Sequence, residues 1–170
     1  MSWKQLLAQR KVQLHTTSKQ ELDGLRALIE RDLTDAALSG LSADRRFASA
    51  YNAALQTAKM VIACAGYRVA STPGHHRLHF EAARIALGSS ADRFLDYFET
   101  SRRKRNVIDY DYAFVATDTE AEEIRIVGLT RNRPKSDRCP PKRGMHLSLA
   151  QSRSAPAPVN RLVGPPASLH

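Results

Sequence analysis

The sequence predicts an all-α fold, a bundle of four or five helices. Apolar residues recur at three- and four-residue spacing, long alternating β-branched runs are missing, and aromatics make up only 6% of an Ala-rich chain. Small side chains at helical spacing suit closely packed helices better than a β-sandwich. With 170 residues and 42% apolar content, the chain has the size of one domain with a tail.

Residues 1–17 read as an N-terminal arm. Within it, residues 2–15 form a short amphipathic helix with Trp3, Leu6, Leu7 and Leu14 near one side. A helical domain over 18–130 follows. Ser18 with Glu21 three positions later has the pattern of a capping box, and it opens a helix whose apolar positions are Leu22, Leu25, Leu28, Ile29, Leu33, Ala36 and Ala37, closed by Gly40. Ser42 or Asp44 caps the next helix, which runs to about Ala65 and stops at Gly66. Its interior, FASAYNAALQTAKMVIACA, is apolar or small on nearly every side, so it is expected at the centre of the bundle.

The connection YRVASTPGHH carries a turn at Pro73-Gly74. A third helix spans about Arg77–Leu87 with Leu78, Ala82, Ile85 and Ala86 inward, and Gly88 ends it. A fourth starts near Ser89 or Ser90 with Phe94, Leu95 and Phe98. A short last helix, capped by Thr117 or Asp118, holds Ala121, Ile124, Val127 and Gly128.

Beyond Thr130 the composition changes: seven of the eight prolines fall in the last 40 residues. Such a segment cannot bury a core, and residues 131–170 read as a disordered basic tail. The net charge of +9 concentrates there, because residues 1–130 carry 18 Lys+Arg against 16 Asp+Glu while the tail carries 8 against 1. That excess favours nucleic acid or another anionic surface as a non-specific contact. Cys64 and Cys139 fit neither a disulfide framework nor a metal pattern, and Cys64 reads as a small buried thiol. Neither a leader with a continuous apolar stretch nor a run approaching the ~20 apolar residues of a membrane span is present. A cytoplasmic location without membrane contact is the expectation.

The stretch RRKRNVIDYDY, Arg102–Tyr112, is the densest in chemistry. On residue types alone, Arg102, Arg103, Lys104 and Arg105 are either the solvated basic end of a helix, with Arg105 and Asp109 as an i,i+4 pair, or a clamp for phosphate with aromatic faces beside it. His75, His76 and His79 fall within about one turn. Their spacing could ligate zinc, but no Cys or carboxylate set accompanies them, so capping, hydrogen bonding or acid–base work is expected instead, with no metal and no cofactor.

The helix ELDGLRALIERDLTDA, the small-residue helix RRFASAYNAALQTAKMVIACAGYR, the segment GHHRLHFEAARIAL and the late RRKRNVIDYDY together resemble a HEPN domain over roughly Glu21 to Leu129. The resemblance implies an up-and-down HEPN-like bundle acting on RNA, commonly as a metal-independent endoribonuclease of toxin–antitoxin or defence systems. It also implies a homodimer that joins two copies of the site, and an antitoxin or nucleotidyltransferase-type protein as a partner. The alternative it leaves open is a non-catalytic module that binds RNA, a nucleotide or such a partner.

The family signature is Arg, a polar residue, and a His after four to six intervening positions. Arg105 takes the place of the Arg and Asn106 that of the polar residue, while Tyr110 stands where the His is expected and Tyr112 matches a Tyr that some members carry as an adenylylation site. Arg102 and Arg103 would assist in binding phosphate, as would His76 and His79. A phenol with pKa near ~10 is a poor base beside an imidazole near ~6.5, so a ribonuclease with this site would be slow or would borrow an imidazole from His75, His76 or His79. On a straight helix, residues five apart diverge by roughly 140°, which sets Arg105 against Tyr110 unless the helix bends or a second subunit closes the site.

Overall fold

The computed structural model describes residues 1–71 and 75–131, so the expected Pro73-Gly74 turn and the tail beyond residue 131 lie outside the described residues. Six α-helices and one two-stranded sheet are present among them: α1 Trp3–Ala8, β1 Val12–Leu14, α2 Lys19–Ala36, α3 Ala43–Cys64, β2 Tyr67–Val69, α4 His75–Leu87, α5 Asp92–Tyr110 and α6 Asp118–Arg131, with a 3-10 turn at Ser89–Ala91. The all-α reading therefore holds for the bulk of the chain, and the count of helices exceeds the expected four or five.

Local chemistry explains most boundaries. The Ser18 hydroxyl accepts the Glu21 N–H at 3.1 Å, and Ser42 accepts that of Arg45 at 3.3 Å, each satisfying an otherwise orphan donor of a helix start. Thr117 and Glu120 cap each other reciprocally at the head of α6, with Glu120 N–H to the Thr117 hydroxyl at 3.2 Å and Thr117 N–H to the Glu120 carboxylate at 2.9 Å. Gly66 (φ 89°) and Gly88 (φ 74°) sit at positive φ immediately after α3 and α4, a conformation that ends a helix at little cost only for a residue without Cβ.

Helix α3 is the central element, packed against α2, α4, α5, α6 and β2. Ala50, Ala53, Ala54 and Ala58 are buried along it and let neighbouring backbones come close. One contiguous core runs from Leu6 and Val12 through Phe47, Tyr51 and Ile62 to Phe80, Phe98 and Ile124. Inward positions expected on α2 and α6 are buried at Leu22, Ile29, Ala36, Ala121 and Ile124. On α4, Phe80 and Ala83 are buried together with Leu78 and Ala82, whereas Ala86 is exposed.

The N-terminal segment departs from its expected single helix. Arg10 adopts φ 54° and breaks the helix, after which the chain extends as β1 and pairs antiparallel with β2, Val12 opposite Val69 and Leu14 opposite Tyr67. Leu14 is consequently 72% exposed instead of facing Leu6. Trp3 stacks on Tyr67 at 4.1 Å between ring centroids, and the Thr17 hydroxyl donates to the Ala63 carbonyl at 2.5 Å. The physical reason is long-range: β1 exists because β2, over 50 residues later, offers it a backbone ladder and an aromatic face. Cys64, expected as a buried thiol, is half-buried. No helix among the described residues is long and apolar enough to cross a membrane.

Candidate functional site

Helix α5 carries the basic stretch and runs unbroken to Tyr110. Arg102 donates from Nη2 to Glu99 at 3.0 Å, Lys104 pairs with Glu120 and lies 5.9 Å from the centre of the Phe47 ring, and Arg105 Nη1 meets Asp109 at 2.7 Å. The i,i+4 pair expected between Arg105 and Asp109 is thus formed. Arg103 is exposed and Asn106 half-buried. Tyr110 and Tyr112 are 79% and 74% exposed. With no bend in α5 between them, Arg105 and Tyr110 do not share a pocket within one protomer.

What faces the two half-buried guanidiniums comes from other helices. Tyr51, on α3, is fully buried. Its phenol is pushed well above the ordinary value by burial, and the charges of Arg102 and Arg105 pull it partly back. Neither Tyr51 Oη nor Arg105 Nε has a hydrogen-bond partner among the described residues. Two buried polar atoms are thus left without partners beside the cations. The Tyr51 ring also contacts His76, 6.1 Å between centroids, and Phe80 edge-on at 5.9 Å.

His76, at the start of α4, completes the group. Burial first, and then the positive charges of His75, Arg105, Lys59 and Arg102, push its pKa down to about 4. The imidazole is therefore neutral at pH 7, beside two arginines. His79 is 8% exposed; burial takes it to about 4 as well, against the raising effect of its bond to a backbone carbonyl. That bond runs from Nδ1–H to the His75 carbonyl at 2.6 Å, and His79 lines a cavity that His76 does not. Among the described residues no group of three or more His, Cys, Asp or Glu side chains is placed to hold a metal ion.

Tyr51 was not legible as a site residue. Its one signal was being the only polar-tipped aromatic among the alanines of α3, which reads first as core packing. The buried histidines have a measurable consequence. The unfolded chain binds protons at these imidazoles below pH ~6.5, whereas the folded chain resists until about 4. Folding stability should therefore decline as pH falls from 6.5 toward 4. A His79→Gln variant is expected to flatten that decline in urea titrations at stepped pH; an unchanged slope would exclude His79 as a contributor.

No family model, curated protein or solved structure matches the chain. The fold and site define a small helical bundle with an arginine–imidazole–phenol cluster where three helices converge.

Proposed function

We propose that the chain acts on RNA as a HEPN-like, metal-independent endoribonuclease whose missing signature His is supplied from α4 by His76. The observation that supports this is that His76 lies within reach of the charges of Arg105 and Arg102, which help to lower its pKa, with its ring 6.1 Å from that of Tyr51 between centroids. In the reaction, the neutral imidazole accepts the proton of a ribose 2′-hydroxyl as that oxygen attacks the adjacent phosphorus. Arg105 and Arg102 stabilise the charge that builds on the phosphoryl oxygens. The P–O5′ bond breaks, His76 returns the proton to the leaving oxygen, and the products are a 2′,3′-cyclic phosphate and a 5′-hydroxyl.

A second reading has its own support. An imidazole with pKa about 4 is a weak base, and Asp109 already occupies Arg105 Nη1, as suits a module that binds RNA without cutting it. Incubating labelled RNA with the purified protein in excess chelator, and identifying the product termini, separates the two. Cyclic-phosphate ends support the nuclease; retention of intact RNA through Arg105 supports the binding module; neither result removes both.

The reading includes a homodimer joined near the end of α5, where Tyr110, Tyr112 and Phe114 are all exposed. A single monomeric species in sedimentation at micromolar concentration would remove that part. For a site closed by His76 within one protomer, Tyr110→Phe is expected to cut RNA as fast as wild type, and a large loss would return the role to the phenol. Tyr112 is open to modification at its hydroxyl.

A further inference from the structure

On the other side of the first turn of α4 lies a polar cavity of about 270 Å³, near the lower end of the roughly 300–1,000 Å³ range of small-molecule sites. It is separate from the Arg105 cluster: neither Tyr51 nor any α5 residue lines it. The ionisable groups that meet there are His15, just after β1, Glu21 of α2, Lys59 of α3, Arg68 of β2, and His75 and His79 of α4. Their charges do not cancel. Glu21 is the one carboxylate among them, and it is already bridged by His15 at 2.7 Å and by Arg68 at 3.1 Å. Lys59 has no such counter-charge among the described residues. Burial alone pushes its amine below the ordinary range, with no carboxylate offsetting it.

His79 uses Nδ1–H for the His75 carbonyl, which leaves Nε2 to accept a proton or a donor. The lining is thus a half-buried cation, an exposed guanidinium and an imidazole whose Nε2 accepts, around a space larger than a bare ion requires. The histidines are not placed to hold a metal. An apolar ligand would leave Lys59 desolvated and unpaired, which is costly. A ligand with a dianionic phosphate matches both the charge and the number of donors.

We infer that this cavity binds a small phosphate monoester, a sugar phosphate or the 5′-phosphate end of a nucleotide, with Lys59 as the principal charge contact, Arg68 as a further donor and His79 Nε2 as an acceptor for a sugar hydroxyl. The inference stands apart from RNA cleavage, because a sugar phosphate contains no internucleotide bond to cut.

The test is calorimetric titration of the full chain with ribose 5-phosphate, inorganic phosphate and unphosphorylated ribose at fixed ionic strength. One-to-one binding of ribose 5-phosphate is expected, with ribose alone not binding. Tighter binding of inorganic phosphate than of the sugar phosphate would overturn the monoester assignment. In Lys59→Met the affinity should fall about 30-fold or more, the loss that follows removal of one member of a desolvated charge pair, and Lys59→Arg should recover part of it. Removing an unpaired half-buried charge does not threaten the fold, and circular dichroism of the variant checks this. As a measurement free of mutation, the Lys59 side-chain resonances of the wild-type protein should shift on adding ribose 5-phosphate. No binding by wild type, equal binding by Lys59→Met, or a shift confined to residues of α5 would each overturn the proposal.

Discussion

For the proposed ribonuclease, replacing Arg105 with Ala is expected to lower metal-independent RNA cleavage by about 10²–10³-fold, the usual loss when a preorganised donor to the transition-state oxyanion is removed. The fold should survive, since the pair that Arg105 forms with Asp109 is a single i,i+4 contact of the kind worth a few tenths of a kcal/mol. Arg105→Lys keeps the charge but loses the planar fork, so an intermediate rate is expected. His76→Ala should cost about 10²–10⁴-fold if the imidazole is the base. The pH profile adds a check that simple loss of packing does not mimic. With a pKa of about 4 in the free protein, the acid limb of kcat/KM should fall near pH 4, well below the ~6.5 of an unperturbed imidazole. A limb near 6.5 would assign the proton to another histidine.

The largest effect on stability is expected at Asp44. This carboxylate is 8% exposed and accepts three consecutive backbone N–H groups from the α5–α6 connection: Phe114 at 2.6 Å, Val115 at 3.0 Å and Ala116 at 2.7 Å. Between them these bonds hold Phe114 at φ 62° with its ring 93% exposed, a conformation a bulky residue adopts only when its surroundings impose it. Asp44→Ala leaves all three donors without their acceptor and is expected to cost about 3–5 kcal/mol, read as a lower urea midpoint. Asp44→Asn keeps an oxygen where Oδ1 bonds Val115 and Ala116, so a smaller loss is expected. Equal losses in the two variants would show that the charge, not the acceptor geometry, holds the loop. Because the loop joins α5 to α6, its release should also loosen the end of α5 and lower RNA affinity or cleavage along with stability.

Asp44 also illustrates how a residue reads in sequence and acts in three dimensions. It stands next to Ser42 as a possible helix cap, and Ser42 takes that role, freeing the carboxylate to reach 70 positions down the chain. The capping serines, the glycines after α3 and α4, and the spacing of Leu22, Ile29 and Ala36 act within a few residues, so helix ends and inward faces were legible. The pair Arg105–Asp109 was legible for the same reason. The sheet was not. Val12 and Val69 each sit in stretches too short for a strand signal, and their pairing is stabilised only when α1 brings Trp3 onto Tyr67.

The site divides along the same line. By itself the sequence determined the helices, the small-residue character of α3 and the clustering of cations on α5, since caps, periodicity and composition are local. It also located the histidines. Only the tertiary structure decided which side chains face Arg105: Tyr110, five residues away on the same straight helix, points elsewhere, while His76 and Tyr51 arrive from α4 and α3. Lys59, one cation in an apolar helix, likewise acquires meaning only from the cavity it lines. Such convergence depends on contacts between residues tens of positions apart, whose free energy is set by packing and burial and not by any local pattern in the chain.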